Sequence, residues 1–204
     1  MLIAFEGLDG SGKTTQARLL FERLSQSYSC ILTKEPTDGP IGLFARDNMK
    51  NSTNKDTMEN TLLMEAFFIA DRIDHVNSVI KPGLESGKVV ITDRYILSTI
   101  AYGGVVGIDT AWLAELNKSF PLPDITFLMD IDTQAAMERL KTRANKPQVF
   151  ENKEFLRVAR YIYKNEAQKF KNAYVIDADR PQDAIAAEIF NIVMEQMQKA
   201  QKGH

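Results

Sequence analysis

The sequence predicts a three-layer α/β/α fold on a five-stranded parallel sheet, with a small lid. Three observations carry that prediction. Short apolar runs alternate with longer stretches of helical spacing, the order of parallel strands joined by crossover helices. The runs are continuously apolar, as in strands covered on both faces. The first run leads straight into a glycine-bearing turn and a helical pattern. A length of 204 residues, 44% hydrophobic and 25% charged, suits one domain with a full core.

Residues 2–5 form the first apolar run, and Leu19, Leu20, Arg23 and Leu24 mark one stripe of the helix after it. Residues 31–33 are the second strand, and Cys30 before them reads as a small buried apolar residue. From about 56 to 79, Leu62, Leu63, Ala66, Phe67, Ala70 and Ile73 recur at helical spacing. Residues 89–92 are the third strand, and Trp112, Leu113 and Leu116 mark a short helix. Residues 125–129 are the fourth strand, after which Asp132 is placed to cap a helix through Met137 and Leu140. The segment from about 141 to 152 has no apolar periodicity and reads as a loop or a lid. Residues 155–170 return to helical spacing, and 174–176 are the fifth strand. Pro181 starts a last helix striped by Ile185, Ile189, Ile192 and Val193. The polar tail 196–204 reads as frayed. No repeat or linker divides the chain, so 1–204 reads as one domain.

A net charge of −2 argues against broad binding to nucleic acid. One cysteine excludes an intrachain disulfide framework. The first residues reach Glu6 too soon for a secretion signal, and no apolar run has the length of a membrane span. The expected setting is the cytoplasm.

Gly7-Leu8-Asp9-Gly10-Ser11-Gly12-Lys13-Thr14 matches the phosphate-binding pattern G-x-x-x-x-G-K-[ST], between an apolar strand and a helix. Glycines 7, 10 and 12 let the backbone curl so that its N–H groups face inward. The following helix adds the positive end of its dipole. The pattern assigns Lys13 to the β- and γ-phosphates of ATP and the Thr14 hydroxyl to Mg²⁺. The other reading of these residues is a glycine-rich turn with a chance lysine.

The loop is shared by GTPases, ATPases and small-molecule kinases. Asn145-Lys146-Pro147-Gln148 begins like a guanine-reading motif but has Gln148 where the aspartate belongs, and it precedes a helix instead of following a strand. No D-x-x-G follows the third strand. That strand instead ends Thr92-Asp93-Arg94-Tyr95. A carboxylate there can orient Mg²⁺, and an arginine beside it can hold a second phosphate. The alternative is a surface ion pair.

At these residues the chain resembles the thymidylate kinase family. The run from Asp93 through Arg94, Tyr95, Ser98 and Ala101 to Tyr102 is similar to its D-R-[YFH]-x-x-S-x-x-A-[YF] signature, and Phe68-Ile69-Ala70-Asp71-Arg72 to its aromatic-to-arginine helix segment. Lys34-Glu35-Pro36 resembles its turn after the second strand. The resemblance runs from residue 2 to about 189. It implies transfer of the γ-phosphoryl group of ATP to dTMP, with Mg²⁺, in a homodimer. It places Gly7, Leu8, Asp9, Gly10, Ser11, Gly12, Lys13, Thr14 and Thr15 on ATP, with Arg139 and Ala178 near adenine. It implies that Asp9 bonds the acceptor's 3′-hydroxyl, Phe68 stacks on thymine and Arg72 bonds its edge. Arg94 takes the acceptor phosphate, with Arg46 as a second ligand, and Tyr102 crowds the 2′ position. Glu35, Pro36 and Thr99 complete the acceptor set, and Thr14 with Asp93 the metal set. Of the two adjacent aromatics, Phe67 is expected in the core.

Family members with glycine at the position of Gly10 supply a catalytic arginine from the lid. Among Arg139, Lys141, Arg143 and Lys146, Arg143 is the expected γ-phosphate contact; the bland reading of all four is a solvated basic face. Three positions depart from the family pattern: Val149 replaces an arginine, Gly103 a polar residue, and Thr37-Asp38-Gly39 a Gly-Gly turn. Two other readings stay open: a kinase for another monophosphate or a deoxynucleoside, and a nucleotide-dependent switch.

Overall fold

The structure is a computed structural model that describes residues 1–51, 58–142 and 153–202. Five strands, β1 (Leu2–Glu6), β2 (Cys30–Lys34), β3 (Val89–Asp93), β4 (Ile125–Asp130) and β5 (Ala173–Asp177), form one sheet in the order β2-β3-β1-β4-β5. Every pairing is parallel. The helices are α1 (Lys13–Leu24), α2 (Pro40–Asn51), α3 (Met58–His75), α4 (Lys81–Glu85), α5 (Ile96–Val105), α6 (Thr110–Leu116), α7 (Thr133–Lys141), α8 (Lys153–Ala167) and α9 (Gln182–Lys202), with a π-helical turn Val76–Ile80 after α3.

The sheet has a core on each face, because successive strand residues point to opposite sides. Leu2, Ala4 and Val90 meet Val76, Ile80, Ile96 and Ile100. Ile3, Phe5 and Ile91 meet Ala17 and Leu20 of α1 and Ile185 and Ile189 of α9. Central β1 is buried along its whole length.

Several expectations change. Only the inner strands are fully covered; at the edges, Leu32 of β2 and Val175 of β5 are exposed, and Cys30 is half-buried. The buried stripe of α1 is Lys13, Gln16, Ala17, Leu20 and Leu24, while Arg23 lies on the surface with its guanidinium 3.6 Å from the Phe190 ring centroid. The tail does not fray at 196: α9 continues to Lys202, and Gln196 Nε2 donates to the Tyr174 hydroxyl. Helices α2, α4 and α5 had not been anticipated. The cap of α7 forms as read, with the Asp132 carboxylate accepting from Gln134 N at 2.8 Å.

Parallel strands bring all five C-terminal ends to one edge of the sheet. Arg94 N donates to Phe5 O, Glu35 N to Asp93 O, and Ala178 N to Asp130 O. The turn after β3 is thereby tied to β1, the turn after β2 to the end of β3, and the turn after β5 to the end of β4.

Candidate active site

The Gly7–Thr14 loop is curled as its glycines allow. Gly7, Gly10 and Gly12 have φ of 135°, 83° and 91°, values that L side chains rarely adopt. Space also demands glycine: a Cβ at Gly7 would lie 2.6 Å from Met129 O, and one at Gly10 2.6 Å from Ala136 O. Helix α1 opens at Lys13 with no acidic residue in its first turn and no side-chain cap. Its N-terminal end is left to an anion. Leu8 and Ser11 are buried behind the loop, and Thr15 is half-buried.

Lys13 is buried, and its Nζ donates to Leu8 O at 2.8 Å. Burial lowers the ammonium to about 8, and the charge of Arg94 pushes the same way, against Asp9, Asp93 and Glu6. Thr14 Oγ1 donates to Asp93 Oδ2 at 2.5 Å, while Asp93 Oδ1 is buried with no hydrogen-bond partner among the described residues. A hydroxyl beside a half-satisfied carboxylate suits Mg²⁺, which takes one or two protein oxygens and completes its shell with phosphate and water. Among the described residues no cluster of three or more His, Cys, Asp or Glu forms an all-protein metal cage.

Arg94 stands across from Lys13. Its backbone has φ of 72°, an uncommon conformation for a bulky residue and a mark of functional sites. Its NH2 donates to Asp9 Oδ1 at 2.7 Å, and its NH1 to Ser98 Oγ at 3.0 Å, Tyr163 OH at 3.2 Å and Gly7 O at 3.3 Å. The guanidinium lies 5.3 Å from the Tyr102 ring centroid. Burial opposes its charge, but Asp9, Tyr102, Tyr163 and Asp93 together outweigh burial and hold Arg94 well above its ordinary value. Burial and then Asp9 push the Tyr102 phenol up to about 12.

Beneath this pair lies Glu6, buried at the end of β1, accepting from Tyr95 N at 3.0 Å and Ser98 Oγ at 2.5 Å. Burial raises its pKa, with Ser98 and Arg94 acting against the rise.

The Glu35 side holds a second network. Arg72 is 2% exposed. It donates from Nε and NH2 to Glu35 Oε2 at 2.9 and 2.6 Å, from NH1 to Thr99 Oγ1 at 3.0 Å and to Asn117 Oδ1, and from NH2 to Tyr95 O at 2.9 Å. These five bonds match the five donors of a guanidinium. The expected base-reading arginine is thus fully engaged by protein. Glu35 Oε1 also meets His75 Nδ1 at 2.9 Å, and His75 Nε2 meets Thr33 Oγ1 at 2.7 Å. The Glu35–Pro36 peptide is cis.

Arg46 is likewise held by protein groups. It donates to Pro36 O at 2.6 Å, Thr37 O at 2.6 Å and Asp38 Oδ1 at 2.7 Å, so it braces the turn after β2. Phe68 is half-buried, four residues before Arg72 on α3. Phe67 is not core: it is half-buried and packs edge-on against exposed Phe44 of α2, centroids 5.0 Å apart.

On the far side, Arg139 NH1 donates to Ala178 O at 3.0 Å and NH2 to Asp179 Oδ1 at 3.2 Å. The two residues expected near adenine touch. A cleft of about 520 Å³ opens beside Thr14 and Asp93 on the β2 side, with Lys34, Asp38 and Asp74 in its lining. Arg143, Lys146 and Val149 lie outside the described residues.

Sequence reasoning missed Glu6, Asn117, His75 and Tyr163. Each lies in the site through contacts with remote elements, so no local spacing announces it. Tyr163 carried the one usable signal, an aromatic on the buried stripe of α8.

Comparison with known proteins agrees with this geometry. The family model described as thymidylate kinase matches residues 5–189. A probable thymidylate kinase of Thermococcus kodakarensis is 36% identical over 198 residues, 95% of this chain and 97% of the relative. One of Pyrococcus abyssi is 36% identical over 197 residues, 96% of each chain. A thymidylate kinase of Onion yellows phytoplasma is 36% identical over 208 residues, 98% of this chain and 97% of the relative.

Proposed function

The chain belongs to the thymidylate kinase family, and from that premise we propose how its residues carry out the reaction. The protein is an ATP-dependent phosphotransferase that converts dTMP to dTDP. The observation that carries the site reading is Arg94, held by Asp9 and Ser98 beside Tyr102 and acting on the charge of Lys13. Two cations that face one another across a phosphate loop suit a donor and an acceptor phosphate.

ATP lies with its β-phosphate in the Gly7–Thr14 loop, Lys13 bridging β and γ, and adenine against Arg139 and Ala178. Mg²⁺ at Thr14 and Asp93 supplies charge neutralisation to the phosphates. The acceptor enters between α3 and α5. Arg94 holds its phosphate, Asp9 its 3′-hydroxyl, and the Tyr102 ring fills the 2′ position. Phe68 covers the face of the base. Arg72 braces the pocket wall formed by Glu35, Thr99 and Asn117. Pro36 and Arg46 fix the turn that ends β2. The acceptor phosphate oxygen attacks the γ-phosphorus in line, and Arg143 from segment 141–152 neutralises the transferring group. Positioning and charge carry the barrier, so no covalent enzyme intermediate is needed.

The molecule works as a homodimer, supported by exposed apolar side chains on α2 and α3. Its cytoplasmic setting is supported by a single free thiol, Cys30. Among the described residues no helix is long and apolar enough to cross a membrane.

The test is turnover with ATP against dTMP, dUMP, dCMP, dGMP and thymidine. We expect dTMP to give the highest kcat/KM, by about tenfold or more, since contacts to one base group are worth on the order of 1–3 kcal/mol. Equal use of the purine monophosphate contradicts this reading.

A further inference from the structure

Glu6 is the one charged residue of β1, and it is 1% exposed. The roles given above leave it unused. Pairing of β1 with β3 runs through Phe5 opposite Asp93, so Glu6 comes level with Arg94 where the ladder ends. Each oxygen of its carboxylate has a partner. Oε1 accepts from Tyr95 N, the amide that follows Arg94, at 3.0 Å, and Oε2 from Ser98 Oγ at 2.5 Å. Both partners lead back to Arg94. A φ of 72° in a bulky residue persists only where its surroundings hold it. Here Phe5 O takes Arg94 N at 2.8 Å on one side, and Glu6 takes Tyr95 N on the other. Ser98 Oγ meets the guanidinium itself, accepting from Arg94 NH1 at 3.0 Å. One carboxylate thus reaches the arginine at its backbone and at its head.

The protons around Ser98 can be assigned. Ser98 uses its single O–H on Glu6, so in the 2.9 Å contact with Tyr163 the phenol donates. The chain then runs from Tyr163 to Ser98 to Glu6. It leaves a lone pair on each hydroxyl for Arg94 NH1, at 3.0 Å from Ser98 and 3.2 Å from Tyr163. A carboxylate, which only accepts, sets that direction. A glutamine in its place would give its oxygen to Tyr95 N and turn its NH2 on Ser98. The Ser98 proton would then move to Tyr163, and the Tyr163 proton would be turned toward Arg94. We propose that Glu6 is a positioning residue for the acceptor phosphate: it locks the Arg94 turn and orients the Ser98 and Tyr163 hydroxyls as acceptors for the guanidinium. The inference rests on Arg94 as the acceptor-phosphate ligand given under Proposed function. The gain is preorganisation, since an arginine already fixed loses less freedom when the phosphate binds.

The test is a double-mutant cycle of Glu6→Gln and Arg94→Ala, with KM measured separately for dTMP and for ATP at pH 7. Glu6→Gln should raise KM for dTMP by about tenfold, the worth of a hydrogen bond to a charged group. KM for ATP should stay within about threefold, because Glu6 is the weakest of the three carboxylates that support the Lys13 charge, after Asp9 and Asp93. In the Arg94→Ala background, Glu6→Gln should change kcat/KM for dTMP by less than about twofold, since Glu6 acts through Arg94. A merely structural Glu6 would cost the same in both backgrounds. Ser98→Ala leaves Glu6 and its bond to Tyr95 N in place and should raise KM for dTMP about fivefold; it carries the test if Glu6→Gln does not fold, which circular dichroism will show. A Glu6→Gln KM for dTMP within about twofold of wild type, an equal loss in both backgrounds, a loss shared by ATP, or a Ser98→Ala enzyme that binds dTMP as wild type does overturns the proposal alone. An Arg94→Ala enzyme that uses dTMP as well as wild type overturns it together with the acceptor site.

Discussion

Lys13 pays a desolvation cost that Asp9, Asp93 and Glu6 offset only in part, and a bound phosphate would offset it further. Its ammonium is lowered to about 8 by burial and by Arg94, so it is cationic below that pH and loses its proton above it. In the free enzyme KM for ATP should therefore be flat below about pH 8 and rise above it, as pH–rate profiles at saturating dTMP will show. Lys13→Ala should lower kcat by on the order of 10²-fold or more and leave the circular dichroism spectrum unchanged. The loop was legible because its chemistry fixes residue types at fixed spacing. Glu6 was not: Ser98, its partner, is 92 positions away. Arg72 was legible as a site residue, but its hold on Glu35, Tyr95 O and Asn117 was not, because a sequence does not display remote groups converging on one guanidinium.

Among elements, the buried Glu35–Arg72 pair joins the end of β2 to α3, α5 and α6. Breaking such a pair leaves an uncompensated charge and costs about 3–5 kcal/mol. Arg72→Met should lower the urea midpoint accordingly, and adding Glu35→Leu should recover part of the loss; additive effects would contradict a coupled pair. Inner strands β1, β3 and β4 were legible as continuous apolar runs. Helix α5 was not, because seven of its ten residues are buried and no stripe stands out against a polar face. The α9 tail was misread because its polar composition hides the contact from Gln196 to Tyr174.

At the scale of the molecule, α2 and α3 expose Leu43, Phe44, Leu62, Leu63 and Ile73. Clustered apolar residues of this kind mark a protein interface, and two-fold dimers are the commonest assembly. Sedimentation velocity should show a dimer, and Phe44→Asp with Leu63→Lys should shift it toward monomer. A wild-type monomer at micromolar concentration would remove the dimer from the account. The parallel sheet between helical layers follows from alternating strands and helices, so that architecture could be read from the chain; the order β2-β3-β1-β4-β5 could not, since alternation does not say which strands pair. The partner face could not, since helical spacing at Leu62, Leu63 and Ile73 looks the same for a core and for an interface.

The central claim is that Arg94 holds the acceptor phosphate opposite a nucleotide gripped by Lys13. Steady-state kinetics of Arg94→Ala, paired with its ATP affinity, tests that claim most directly. The account predicts a fall in kcat/KM for dTMP of about 10²-fold, the worth of a charge-assisted hydrogen bond, with ATP affinity within a few fold of wild type. Near-wild-type kcat/KM for dTMP, or a loss confined to ATP, would contradict it.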